Sequence, residues 1–180
     1  MKPGPNRIPR PQDLLAAISL LTRLPVGSGR VIEVTGSSSW AWPLVGAAVG
    51  ALGGGIAHML SSAGTGTSIA AIAAIAGMIA ATGALHEDGL ADAADGLFGG
   101  RSMEDRLRIM RDSRIGSFGA TALCVFLIGR HSGLNELLQA GRVFGPLIAA
   151  GAISRAVMLL AFRFTPSARP DGLAAGIGTP

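Results

Sequence analysis

The chain has 180 residues, 49% of them hydrophobic and 14% charged, with 27 glycines, a formal charge of +4 and a mean hydropathy of +0.48. That balance excludes an ordinary soluble domain and indicates an integral membrane protein, in which glycine and alanine let helices approach closely in lipid. A single cysteine, Cys124, excludes a disulfide framework and a thiolate metal centre, and arginines spread between apolar runs without an aromatic platform argue against nucleic-acid binding.

The N-terminal stretch Met1–Pro11 is basic and proline-rich and lacks the apolar core and cleavage site of a signal peptide, so it reads as a short disordered cytoplasmic tail. In Gln12–Val26, Leu14, Leu15, Ile18, Leu21 and Leu24 recur at helical spacing. The segment is too short to span, and Pro25 is read as its end. It is predicted to be an amphipathic helix on the membrane surface or a re-entrant one. Gly27–Gly29 and Gly36–Ser39 read as connectors.

Four apolar stretches follow, set against the roughly 20 residues that a helix needs to cross a bilayer. Trp40–Leu60 begins with two tryptophans suited to the interface, and a tight hairpin through Ser61–Thr67 joins it to the uncharged Ser68–Leu85. Ile115–Gly129 is short and is interrupted by Arg130, His131 and Gly133, whereas Val143–Phe162 is long enough and carries Arg155. The predicted fold is therefore all-α: a polytopic helical membrane protein with about four spanning helices and an N-terminal amphipathic or re-entrant helix, in one membrane domain over residues 1–180. Lys and Arg number five before Trp40, none in Ser61–Thr67 and five from Arg101 to Arg114. The positive-inside bias then places the N-terminus, the segment after the second span and the C-terminal end in the cytoplasm.

Seven of the 11 acidic residues fall between Glu87 and Asp112, directly after the uncharged second stretch. Read as a helix continuing that span, His86–Gly96 sets Asp88, Asp92 and Asp95 on one stripe about 60° wide. Like charges so arranged repel and, at this depth, also lose hydration, so a divalent cation is the natural partner; beside a phosphate substrate that cation is Mg²⁺. A solvated acidic helix end is the plainer alternative. Gly89 and Gly96, next to the first and third aspartates, offer bulky phosphates an approach to the backbone. His86 fits either a place in the site or a simple interfacial hydrogen bond.

Gly99-Gly100 breaks the helix, and Ser102 with Asp105 three residues on approximates a capping box that opens a second short helix. Arg101, Arg106, Arg108, Arg111 and Arg114 can answer the acidic stripe by salt bridges or by holding a pyrophosphate that the metal also touches. Taken singly, each arginine is as easily an inside-facing topology marker. Together with metal-spaced aspartates they suit a phosphoryl-transfer site.

At these residues the chain resembles the cobalamin synthases (adenosylcobinamide-GDP ribazoletransferases). Three blocks carry the resemblance: Leu21-Thr22-Arg23-Leu24-Pro25-Val26, the His-x-Asp-Gly-x-x-Asp-x-x-Asp-Gly pattern from His86 to Gly96, and Met110-Arg111-Asp112-Ser113-Arg114-Ile115-Gly116-Ser117. Trp42-Pro43-Leu44-Val45-Gly46, Ser154-Arg155 and Ala168-Arg169-Pro170-Asp171-Gly172 extend it over nearly the whole chain. The resemblance implies a Mg²⁺-dependent enzyme of the bacterial inner membrane that joins adenosylcobinamide-GDP to α-ribazole or its 5′-phosphate and releases GMP. By matching position it implies Asp88, Asp92 and Asp95 as metal ligands and Arg111 and Arg114, then Arg101, as phosphate ligands. Asp112 either completes the metal shell or acts as base. Members of that family are longer, which implies that their C-terminal helices lie outside this sequence.

Two other readings compete. A membrane phosphotransferase of the CDP-alcohol type also uses spaced aspartates, but its Ala-Arg pair is replaced here by Gly96-Leu97-Phe98-Gly99. An ion or proton carrier would need polar groups near the middle of its spans, which apart from Arg155 are clean.

Overall fold

The computed structural model describes residues 10–26 and 34–177 and is helical throughout its regular elements, as the all-α reading requires. Most of the N-terminal tail and the Gly27–Gly29 connector lie outside the described residues. The chain falls into two compact units, one formed by residues up to Gly55 together with those from Val143 onward, the other by Ile56–Arg142.

In the first unit, α1 (Pro11–Leu21) opens with proline at its first position, where a missing N–H costs nothing. The buried Asp13 carboxylate accepts the Arg10 N–H at 2.9 Å and the Trp40 indole N–H at 3.3 Å. The helix ends at Leu21, four residues before Pro25. Thr22, rather than Pro25, closes it: its hydroxyl donates to the Ile18 carbonyl at 2.7 Å and accepts the Leu24 N–H at 3.2 Å. The Gly36–Ser39 connector is a 3₁₀ helix, Gly36–Ala41, running directly into α2 (Trp42–Ser62). Trp42 is fully buried among Ala17, Leu21, Ala41 and Val45, with Phe162 of α7 (Phe144–Phe164) edge-on at 5.4 Å. Gly46 and Gly151 bring α2 and α7 backbone to backbone: a Cβ on either would lie 2.1 Å from the other's carbonyl oxygen. A short α8 (Leu173–Ile177) follows.

The second unit holds α3 (Thr67–Thr82), α4 (Leu85–Gly99), α5 (Met103–Ile109) and α6 (Ser117–Gln139). Here the expectation that the acidic segment simply prolongs the second span is corrected. Gly83 (φ 65°) and Ala84 (φ 58°) adopt left-handed backbone, and their N–H groups donate to the Ala80 and Ile79 carbonyls, so α3 terminates and α4 leaves it at 88°. The third stretch differs too: α6 does not stop at Gly129 but runs ten residues further, because Arg130 and His131 find partners across the unit. Arg130 Nη1 donates to Glu87 Oε1 at 2.9 Å, and His131 Nε2 lies 2.9 Å from the Ser68 hydroxyl.

Among the described residues, two helical runs, Gly36–Ser62 and Phe144–Phe164, are long and apolar enough to cross a membrane, and a third counts if bent α3–α4 is one span. The chain is thus a polytopic helical membrane protein with two or three such candidates, close to the four expected.

Candidate functional site

α4 presents two adjacent faces. Glu87, Ala91 and Asp95, four residues apart, are buried. Asp88, exposed, and Asp92, half-buried, are each one position on and line a cavity of about 450 Å³. Its other wall is the connecting segment between α5 and α6, which supplies Arg111, Asp112, Ser113 and Arg114. The structure therefore brings together five of the residues singled out in the sequence: Asp88, Asp92, Arg111, Asp112 and Arg114.

Asp95 is not among them. Its Oδ2 accepts the Gly116 N–H at 2.7 Å and its Oδ1 the Gly119 N–H at 2.8 Å, which satisfies two of the N–H groups that the start of α6 cannot pair within the helix. Glycine is required at both positions. A Cβ at Gly116 would stand 2.4 Å from Asp95 Oδ1, and one at Gly119 would stand 2.3 Å from Oδ2 and 2.9 Å from the Ala91 carbonyl oxygen. His86 and Arg101 also lie outside the cavity lining. His86 sits half-buried in the first turn of α4 with Nε2 shielded from solvent, and the Arg101 N–H donates to Asp105 at 3.2 Å.

The chain reaches the cavity through a tight corner. Ser102 caps α5 by accepting the Asp105 N–H at 3.1 Å, as the sequence suggested; the Asp105 side chain reaches back to the N–H of Arg101 instead of Ser102. The Arg108 guanidinium and then the Arg101 N–H lower the Asp105 pKa. Arg106 Nε donates to the Gly100 carbonyl at 3.2 Å, and a Cβ on Gly100 would lie 2.8 Å from the Arg106 backbone. Gly96 packs on Met110, where a Cβ would come 2.5 Å from the methyl, so its role here is packing and not phosphate approach; Gly89 is open.

Asp112 and Arg114 form a forked pair. Arg114 Nη2 donates to Oδ2 at 2.7 Å, Nε donates to Oδ1 at 3.1 Å, and the Arg114 backbone N–H donates to Oδ1 at 3.1 Å. The guanidinium first, and the backbone N–H second, hold the Asp112 carboxyl down to about 2, while the carboxylate raises the Arg114 pKa.

Sequence reading passed over Glu87, which lines the same cavity and pairs with Arg130, itself 5.4 Å from the centre of the Phe126 ring. The sequence signal was Arg130 interrupting the third apolar stretch; its partner Glu87, 43 residues earlier, was one acidic residue among the cluster that follows the second stretch. Gly116 and Gly119 were visible as glycines, but nothing local tied them to Asp95.

Among the described residues no three His, Cys, Asp or Glu side chains already stand together as a metal-holding group. With Glu87 engaged by Arg130, the cavity thus sets Asp88 and Asp92 of α4 opposite Arg111 and Arg114, a division of charge suited to a polyanion bridged by a cation. No solved structure matches the chain. Sequence comparison finds relatives named adenosylcobinamide-GDP ribazoletransferase. The protein from Bradyrhizobium diazoefficiens is 43% identical over 170 residues, covering 93% of this chain and 65% of its own length. The one from Azorhizobium caulinodans is 43% identical over 175 residues, covering 93% and 66%. That from Mesorhizobium japonicum is 40% identical over 182 residues, covering 97% and 69%. The chain spans about two thirds of the length of these relatives. Residues 13–179, which hold both walls of the cavity and the glycines that seat Asp95, match the family described as cobalamin-5-phosphate synthase, and the chain belongs to that family.

Proposed function

We propose that the protein transfers the cobinamide-phosphate moiety of adenosylcobinamide-GDP to α-ribazole or its 5′-phosphate, releasing GMP, at the cytoplasmic face of the bacterial inner membrane. The observation that carries this reading is the single cavity in which Asp88 and Asp92 face Arg111 and Arg114. The name shared by the relatives supplies the reaction class.

A Mg²⁺ ion fits these residues. Such an ion is usually held by one or two carboxylates plus substrate phosphates, and not by an all-protein cage. Asp88 and Asp92, one helical turn apart on the cavity wall, are a donor pair of that kind. When bound, the ion supplies neutralisation of charge on the pyrophosphate oxygens.

The protein's own contribution is orientation and charge. Arg111 and Arg114 bind phosphate oxygens of the GDP moiety and stabilise the GMP that leaves. Asp112 fixes the Arg114 fork, so less side-chain freedom remains to be lost when phosphate binds. A ribazole hydroxyl attacks the phosphorus attached to cobinamide in line with the bridging oxygen; one P–O bond forms as the bond to GMP breaks, and the hydroxyl proton passes to solvent water. A carboxyl held near 2 is a weak proton acceptor at neutral pH, so Asp112 is assigned to orientation and not to the base role. His86, outside the cavity lining, is assigned no proton transfer.

The test supplies membranes bearing the protein with adenosylcobinamide-GDP, α-ribazole and Mg²⁺, and follows GMP. Release above a vector control is the expected result. Its absence removes the proposal.

A further inference from the structure

We propose that Asp95 is a positioning residue that clamps the start of α6 against α4, and that it is not a ligand of the metal. The inference builds on the site proposed above but rests on separate observations. Asp95 is 9% exposed, and each of its oxygens accepts a backbone N–H, at 2.7 and 2.8 Å, from Gly116 and Gly119. Turning the carboxylate toward the cavity would strand the half-buried Gly116 N–H and the buried Gly119 N–H, which costs more than the bonds themselves contribute.

The glycines give an independent reason. The backbone of 116–119 approaches so closely that a Cβ at either glycine would fall within 2.4 Å of an Asp95 oxygen. A sequence that seats a carboxylate in so exact a socket has committed that carboxylate to the backbone. What the socket positions is the connecting segment just before it. Arg111, Ser113 and Arg114 lie two to five residues ahead of Gly116, and their place across from Asp88 and Asp92 depends on where α6 begins. The third aspartate of the motif thereby holds the phosphate-binding wall at its distance from the first two.

The experiment uses purified protein in detergent and three variants: Asp95→Asn, Gly116→Ala and, as a ligand control, Asp92→Asn. Two quantities are read without turnover: Mn²⁺ affinity by electron paramagnetic resonance, and the rate of tryptic cleavage at Arg111 and Arg114 under native conditions. Loss of charge-assisted bonds at the clamp is expected to raise cleavage in Asp95→Asn about tenfold, with Mn²⁺ affinity within about twofold of the parent. Gly116→Ala, which keeps every aspartate, is expected to reproduce that pattern. Asp92→Asn is expected to weaken Mn²⁺ by about tenfold or more without faster cleavage.

If Asp95→Asn weakens Mn²⁺ as much as Asp92→Asn does, or if Gly116→Ala leaves cleavage unchanged, the clamp is overturned. Should Asp95→Asn not fold, Gly116→Ala decides alone. A parent protein that binds no Mn²⁺ or releases no GMP counts against the proposed function, while the cleavage comparison still decides the clamp.

Discussion

Two of the places where glycine brings helices together differ in what fills the space. Between α2 and α7, Gly46 and Gly151 set backbone against backbone, each where a Cβ would come within 2.1 Å of the other's carbonyl oxygen, in the unit whose core is Trp42 and its apolar neighbours. Between α4 and α6, Gly116 and Gly119 leave room for a carboxylate, and a few turns away Glu87 and Arg130 form an ion pair with side chains 12% and 27% exposed. The first contact holds helices by close packing alone. The second is a polar seam held by hydrogen bonds and an ion pair, and the cavity opens along it. Small residues in a sequence therefore announce a close approach without saying whether backbone or a charged group will occupy it.

The largest effect expected along the seam is on stability. Arg130→Met leaves the Glu87 carboxylate buried without its cation and should destabilise the second unit by about 3–5 kcal/mol, read as thermal unfolding in detergent. Restoring most of that loss with Glu87→Gln in the same protein would sharpen the comparison; a single variant as stable as the parent would break it. Next comes Asp92→Asn, expected to lower turnover by about 100-fold with membrane insertion unchanged, because a neutral amide cannot balance the charge of the proposed Mg²⁺. Turnover equal to the parent at limiting Mg²⁺ would take Asp92 out of the site.

At the apolar contact, Gly46→Ala should cost about 1–3 kcal/mol through overpacking while the KM for adenosylcobinamide-GDP stays put. A changed KM with unchanged melting would mean that this contact also serves the substrate. The smallest effect is a predicted absence. The Asp112 carboxyl, near 2 when folded against an ordinary 3.8, favours the folded state above pH 3.8, and that contribution disappears as the pH falls through about 2. Asp112→Asn should therefore leave the acid limb of the GMP-release profile between pH 5 and 8 where it was, with acid-unfolding curves of parent and variant converging below about pH 2. A displaced limb would return Asp112 to the role of base.

Much of the fold was legible because helical periodicity and apolar length are local. The boundaries of α2, α3 and α7 fall within a few residues of those read from the chain. The cavity was legible in part for the same reason: Asp88 and Asp92 share a helix face by spacing, and the Arg111–Arg114 block is contiguous. What the spacing could not reveal depended on partners distant in sequence. A 60° stripe looks continuous on a helical wheel, yet Asp95 is turned to α6 by N–H groups 21 and 24 residues downstream. Arg130 looked like an interruption of a span until Glu87 was placed beside it. The 88° corner at Gly83-Ala84 was hidden because alanine in left-handed backbone is uncommon, and a single glycine inside an apolar run is ordinarily tolerated.

That corner also changes the electrostatics of everything after it. In an unbroken helix running from Thr67 to Gly99, Glu87 and Asp88 would lie about three turns from the nearer end, where the terminal dipole offers an anion nothing. By ending α3 and starting afresh, the chain gives both residues a place in the first turn of a new helix, where the summed dipole is positive and each nearby negative charge is favoured by about 0.3–1 kcal/mol. The bend thus supplies a positive helix end where an unbroken helix would have offered these acidic side chains none.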